Sequence, residues 1–434
     1  LFSDAKYGFS FQFLHPLLII STTGFTKFKF NTLIANRKEL LTEQFDYLLP
    51  DQAIARFPLE DRDQSKLLVW RDGRIQHKKF TDVADELPSD ALLIFNNTKV
   101  VPARLHFQKP TGAWIELLVV EKMEEESSKL NGSEWVWECM IGNKKKWADD
   151  EVLEVSKYID GELFGLKAKF YDKENNLVRL SWFPEKLTFY EVLAQLGEMP
   201  IPPYLNRDSV ESDKQNYQTV YAQVEGAIAA PTAGLHFTDR IFNDLRARSI
   251  EMKELTLHVG LGTFKPMKSE KVAEHEMHPE KVVVSKKLIQ KLAKHTGPIV
   301  AVGTTSIRSL ESLYWLGTEF IETEIFPEYL HSEDPYNWAK RDFSIQQVAK
   351  ALVDWMAEKQ MEELQFATQL YLMPGYQFRV VKGLITNFHQ PKSTLLVLIS
   401  AFIGDNWKQI YEEALAKNYR FLSYGDSSFL YNGN

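Results

Sequence analysis

Three histidines in this chain sit where an imidazole meets small-residue or turn-forming backbone. His236 closes residues 226–238, GAIAAPTAGLHFT, in which eight of the first nine residues are Gly, Ala, Pro or Thr. His258 heads Gly260-Leu261-Gly262-Thr263-Phe264, and His389 lies in Asn387-Phe388-His389-Gln390-Pro391-Lys392. Imidazole titrates near neutral pH, so each of the three is a candidate general base. Small residues let backbone approach a ligand closely, Gly tolerates positive φ, and Pro231 biases Ala230 to an extended shape. Thr238 has the form of a helix N-cap, with Asp239 in the favourable first turn. The plainer reading of 226–238 is a packing loop between two layers.

Other residues could hold a ligand rather than act on it. A strand over 299–302 ends at Gly303, turns through Thr304, Thr305 and Ser306, and enters a helix over 307–316 that carries Arg308 and Glu311. Free N–H groups at a helix start favour anionic or hydroxyl-rich groups, and ligands of open α/β sheets collect at strand carboxyl ends. The apolar run at 91–95 ends in Asn96, Asn97, Thr98 and Lys99, with Arg104 close behind. Asn387 and the C-terminal cluster Arg420, Tyr424 and Asp426 are further polar groups next to apolar elements. The first two have bland alternatives, a hydroxyl-capped helix with nothing bound and a turn with Asx chemistry. His275 and His278 have a spacing that binds metal on a helix, but the adjacent Pro279 points to a loop that orients charges.

These residues need a frame. The sequence predicts an α/β main domain over 41–70 and 184–434, with residues 71–183 as an inserted, small antiparallel β-barrel domain. Short strands follow one another through 112–183 without a helical period, and Arg71-Asp72-Gly73-Arg74 is a hairpin turn. Residues 376–381 and 384–388 read as a second hairpin around Lys382-Gly383. Residues 318–368, charged and aromatic, read as an inserted lobe, and residues 1–40 as a leader outside the folded domains. The apolar run at 11–20 is broken by Pro16 and is too short to span a membrane. The single cysteine, Cys139, rules out intrachain disulfides and cysteine-rich zinc sites and fits the cytoplasm. No HExxH pair occurs, so a zinc hydrolase has no support. A formal charge of -8 argues against a generally basic protein that coats nucleic acid, while leaving room for a local basic groove.

Eight blocks in order carry a resemblance: NNTKVVPARL at 96, YQTVYA at 217, AAPTAGLHFT at 229, LHVGLGTF at 257, EHEMHPE at 274, VGTTSIRSLES at 302, LITNFHQPKSTLLVLISAFIG at 384 and YRFLSYGD at 419. Together they resemble the S-adenosylmethionine:tRNA ribosyltransferase-isomerase family of bacterial queuosine biosynthesis. The resemblance covers about residues 41–430, apart from 318–368. It implies an α/β domain with a separate barrel. It also implies that S-adenosylmethionine is a co-substrate, with no prosthetic group and no metal. Its ribosyl group is transferred to 7-aminomethyl-7-deazaguanine at the wobble position of a tRNA and rearranged to an epoxycyclopentane, and adenine and methionine leave.

On that reading a base removes the proton next to the sulfonium, and His236 or His258 is the candidate, with His389 third. Asp426 or Glu311 would protonate departing adenine. Arg308, or the helix start at Gly303, Thr304, Thr305 and Ser306, would hold the methionine carboxylate. Asn97, Thr98 and Asn387 would donate to the epoxide-forming oxygens. Lys99, Arg104, Lys392 and Arg420 would meet RNA phosphates, with Tyr217 or Tyr221 stacked on a base. The protein is expected to act as a cytoplasmic monomer away from membranes. The rivals are a paralogue with another acceptor, a non-catalytic RNA-binding protein, and a methyltransferase, which lacks its early glycine-rich turn here.

Overall fold

The computed structural model describes residues 37–260 and 266–433. Most of the expected leader and residues 261–265 of the segment after His258 lie outside the described residues. Ten strands form one mixed sheet. They are β1 (Lys66–Arg71), β2 (Arg74–Lys79), β3 (Leu92–Asn96), β12 (Glu251–Leu257), β13 (Glu280–Ser285), β14 (Ile299–Val302), β15 (Tyr329–Leu330), β16 (Glu363–Thr368), β17 (Val381–Asn387) and β18 (Ser427–Tyr431). Their order is β15-β16-β13-β12-β3-β14-β17-β18-β1-β2.

The four middle strands β12, β3, β14 and β17 run parallel. A strand covered on both faces must be apolar on both, and LLIFN in β3 and IVAV in β14 are buried throughout. Leu92 and Ile94 enter one core with the helices Thr304–Thr323, Ile345–Glu358 and Thr394–Ile403. Leu93 and Phe95 enter the opposite core with the helix Asp239–Ala247. Thr238 caps that helix as expected, accepting from the Ile241 N–H at 3.5 Å.

The second sheet holds β5 (Arg104–Gln108), β6 (Trp114–Lys122), β7 (Glu134–Gly142), β8 (Leu153–Ile159), β9 (Glu162–Asp172) and β10 (Leu177–Phe183). It is antiparallel in the order β5-β6-β7-β10-β9-β8, and its edge strands β5 and β8 approach each other, so it curls nearly closed. The helix Phe189–Leu196 plugs its core with Phe189, Val192 and Leu193. β4 (Thr98–Val100) leaves the carboxyl end of β3 and pairs with β11 (Val224–Ala227). The barrel therefore departs from, and returns to, one end of the large sheet.

Three expectations need correction. β2 and β3 belong to the large sheet, so its part of the chain reaches past residue 71 and the barrel sheet starts at Arg104. The turn is as read, with Asp72 and Gly73 at φ 51° and 78°, but β1 also pairs with β18 from the far C-terminus. Residues 318–368 are no separate lobe. β16 pairs with β13, and the helix Ile345–Glu358 packs so closely on Gly317 that a Cβ there would lie 2.3 Å from Val348 Cγ1. The hairpin expected at 376–388 is a single strand, β17. Glu311 accepts from the N–H groups of Arg379, Val380 and Val381 at 2.9–3.0 Å and from the Tyr376 hydroxyl at 2.9 Å, which binds 376–380 as a loop to the long helix.

Candidate active site

The four parallel strands end along one edge, and each delivers residues that the sequence singled out. β3 ends at Asn96, followed by Asn97 and Thr98; β12 leads to His258; β14 leads to Gly303; β17 ends in Asn387, two residues before His389. The barrel stands beside this edge. A cleft of about 500 Å³ lies between the two, walled by Trp137, Glu138 and Tyr190 from the barrel side and by His258, Arg308 and Tyr371 from the sheet side. That size is typical of small-molecule sites, about 300–1,000 Å³. A smaller pocket of about 60 Å³ adjoins it, and Val259 and Leu395 line both.

His258 is half-buried in the cleft wall. Its Nδ1 lies 3.2 Å from Thr98 Oγ1, whose hydroxyl is 3.5 Å from the Val224 carbonyl. When Thr98 donates to that carbonyl, it accepts from Nδ1–H, and the Nε2 lone pair is left for a substrate proton. Burial, and then the charge of Lys281, lower the His258 pKa, so the ring is neutral at neutral pH. The small-residue loop makes this placement possible, because a Cβ on Gly226 would lie 3.1 Å from atoms of the His258 ring.

His236 has no such freedom. It is buried, and Asn387 Nδ2 donates to the carbonyls of Leu422 and Ser423 at 2.9 and 3.1 Å. Asn387 Oδ1 must therefore face His236 Nε2, at 3.2 Å, and accept its proton. Nδ1 is then the acceptor for the Ser65 hydroxyl at 2.8 Å. Burial pushes its pKa down to about 4. Both ring nitrogens are engaged, so the imidazole joins the start of β1 to the end of β17. Ser65 carried no sequence signal, since it sits 171 positions away.

His389 lines the small pocket with Thr386 Oγ1 3.0 Å from its Nε2, and burial pushes its pKa down to about 3. Its loop is held from outside, where the Tyr47 hydroxyl donates to the His389 carbonyl at 2.5 Å. Gly303 (φ 88°), Thr304 and Thr305 also line the small pocket, whereas Ser306 is fully buried and donates to the Val302 carbonyl at 2.8 Å. Arg308 lines the cleft and is buried. It pairs with Glu280 through Nη1 and donates from Nε to the Leu370 carbonyl at 3.2 Å, while Nη2 has no hydrogen-bond partner among the described residues.

Several other predicted residues lie elsewhere. Glu311 is in the core with its four backbone and tyrosine donors. Asp426 is buried and accepts from the N–H groups of Lys66 and Arg420 at 3.0 and 2.8 Å, fixing β18 beside β1. Asn97 bridges to Thr256 and Glu254 at 2.7 and 3.2 Å. Tyr217 is fully buried, edge-on to Tyr424, so its ring offers no face to a base, and Tyr221 is partly buried, packed edge-on to Phe95 at 4.9 Å. The four cations are paired: Lys99 with Glu225 at 2.9 Å, Arg104 with Glu116 at 3.2 Å, Lys392 with Glu43 and Asp46 at 2.7 and 3.1 Å, and Arg420 with Asp426 at 3.8 Å. His275 and His278 both line the cleft from a loop, and no group of three or more potential metal ligands gathers among the described residues. Trp137, Tyr190 and Tyr371 carry no functional signal in the sequence, because an aromatic in a barrel strand, a helix or a connector reads as core.

Parallel strand ends, a barrel inserted beside them and a neutral histidine in the intervening cleft define an enzyme of mixed α/β class. The family described as queuosine biosynthesis protein matches residues 42–430. The S-adenosylmethionine:tRNA ribosyltransferase-isomerase of Francisella tularensis subsp. novicida is 37% identical over 397 residues, covering 90% of this chain and 99% of that protein. A crystal structure of an S-adenosylmethionine tRNA ribosyltransferase from Thermotoga maritima is 28% identical, covers 89% of this chain and 99% of its own, and superposes with a TM-score of 0.43. The chain belongs to the queuosine biosynthesis family of S-adenosylmethionine:tRNA ribosyltransferase-isomerases.

Proposed function

We propose that this enzyme transfers the ribosyl group of S-adenosylmethionine to 7-aminomethyl-7-deazaguanine at the wobble position of a tRNA. The sugar is isomerised to an epoxycyclopentane, and adenine and methionine are released. The observation that carries the reading is that one cleft holds both His258, whose Nδ1 meets Thr98 Oγ1, and Arg308, whose buried Nη2 has no hydrogen-bond partner among the described residues. Arg308 Nη2 suits the methionine carboxylate, and its partner Glu280 keeps the guanidinium compensated while the cleft is empty. Trp137 and Tyr190 suit a sulfonium, because an aromatic face attracts a cation.

The chemistry then follows from proton placement. The sulfonium acidifies the adjacent carbon, and His258 Nε2 takes that proton. His258 is preferred to His236 and His389 because a base works best with a pKa near the operating pH and a free lone pair. Three bonds to the sugar then break, to adenine, to sulfur and one to the ring oxygen, and three form: carbon to the acceptor amine, carbon to carbon closing the five-membered carbocycle, and carbon to the freed ring oxygen closing the epoxide. The amine gives up one proton as it bonds, and departing adenine takes one up. For RNA, the paired cations Lys99 and Arg104 flank the barrel junction, where phosphates would compete with Glu225 and Glu116.

The test mixes the full chain, S-adenosylmethionine and tRNA carrying the deazaguanine precursor, and follows the products. Adenine with methionine supports the reading, whereas S-adenosylhomocysteine would indicate methyl transfer. Binding of the tRNA without turnover would favour an RNA-binding protein. Binding that is insensitive to added salt would remove the phosphate contacts.

A further inference from the structure

The small pocket beside the cleft has no assigned occupant. It lies over the start of the 20-residue helix Thr304–Thr323, whose first N–H groups lack intrahelical partners. The Thr305 hydroxyl, on a residue only 8% exposed, has no hydrogen-bond partner among the described residues. It stands beside the bare Cα of Gly303, where a Cβ would lie 3.6 Å from it. Thr386, His389, Gln390 and Ser393 are among the further polar residues of the wall, and Asn387 lines it with its amide already engaged by His236 and two carbonyls. Among the described residues no Lys, Arg, Asp or Glu lines the pocket. Burial keeps His389 neutral at neutral pH, so an anion there would face only the partial charge of a helix end.

Size narrows the choice. A water-sized group needs about 10–15 Å³ of such space, so about 60 Å³ holds four to six heavy atoms. Two adjacent ring carbons with their two hydroxyls fit that space, whereas a whole purine does not. Hydroxyls both donate and accept, as a wall of hydroxyl, imidazole and free backbone N–H requires. The shared walls at Val259 and Leu395 let the rest of such a ligand lie in the larger cleft.

We propose that this pocket is a cis-diol site that takes the 2′- and 3′-hydroxyls of the ribosyl group, with the Thr305 hydroxyl as a direct partner. The inference rests on the reading of the cleft as the S-adenosylmethionine site. It gives the unreactive side of the sugar a fixed anchor while the bonds at its other carbons change. Thr305→Val is a clean probe, because the hydroxyl it removes has no hydrogen-bond partner among the described residues to lose.

The experiment is titration calorimetry of the full chain with S-adenosylhomocysteine and with its 2′,3′-dideoxy counterpart. The wild type should prefer the diol by about tenfold or more, and Thr305→Val should weaken the diol ligand by about fivefold, the loss of one neutral hydrogen bond, with little effect on the dideoxy ligand. Equal affinities in the wild type overturn the proposal, as does undiminished preference in Thr305→Val. Free methionine bound more weakly by Thr305→Val would place a carboxylate in the pocket and also overturn it. Adenine release measured on the same preparations reports the reaction separately. Diol preference without adenine release counts against the reaction alone, and adenine release without diol preference counts against the pocket alone.

Discussion

The buried histidines should make this protein acid-sensitive well above the range in which carboxylates usually titrate. His236 has a folded pKa of about 4 against an ordinary value of 6.5. Because the folded value is depressed, the unfolded chain binds more protons between pH 6.5 and 4. The stabilisation is fully present above 6.5 and is lost as pH falls towards 4. From pH 7 to pH 5 the difference for one such group is about 2 kcal/mol. His389, held at about 3, adds a similar amount, so the two together take away roughly 4 kcal/mol of unfolding free energy. Urea unfolding at pH 7 and pH 5 measures the fall. In His236→Gln the stability at pH 7 is lower, but the fall to pH 5 shrinks by about 2 kcal/mol. Exchange of the histidine C2 hydrogen, followed by mass spectrometry across pH, reads His236 directly. An equal fall in wild type and His236→Gln, or titration of His236 near 6.5, would refute the double engagement of its ring.

Further outcomes follow from the same contacts. His258→Gln should lower adenine release by about 100-fold or more while changing S-adenosylhomocysteine binding little, as measured by turnover and calorimetry. The acid limb of kcat/KM should lie below 6.5 and move upward in Lys281→Met, since Lys281 helps to lower the His258 pKa. Gly234→Ala should cost about 1–3 kcal/mol in urea unfolding, because its Cβ would lie 1.8 Å from Tyr221 Oη and 2.9 Å from Thr219 Cγ2. Glu311→Gln should destabilise by about 2–3 kcal/mol, since an amide cannot accept from four donors on both of its ends.

What could be read along the chain was local. The turn at Asp72-Gly73, the cap at Thr238 and the strand ending at Gly303 all depend on residues within a few positions of one another. What could not be read was who stands across. β2 and β3 look like further short strands until β18 supplies the neighbour that places β1 in the large sheet. In the sequence, Glu311 and Asp426 read as polar groups beside apolar elements. A carboxylate that catches a substrate and one that catches backbone N–H groups have the same surroundings in sequence, and only their donors separate them. The three histidines differ in the same way: His236 has Ser65 on one ring nitrogen and Asn387 on the other, whereas among the described residues His389 has Thr386 on Nε2 and His258 has Thr98 on Nδ1.

The small-residue loop shows why packing and function were inseparable readings of one stretch. Gly234 is bare because the Tyr221 hydroxyl occupies the place of its Cβ, inside a cluster of Phe95, Phe237 and Phe242. That is a packing reason. Gly226 is bare, at φ 131°, because the His258 ring approaches it to 3.1 Å from the place of its Cβ. That is a reason belonging to the cleft. Between them Ala229, Ala230 and Ala233 wall the small pocket. One run of small side chains thus lets an aromatic cluster close on one side and an imidazole close on the other. The loop's own histidine, His236, ties the start of β1 to the end of β17, and the loop makes room for His258, the base of the proposed reaction.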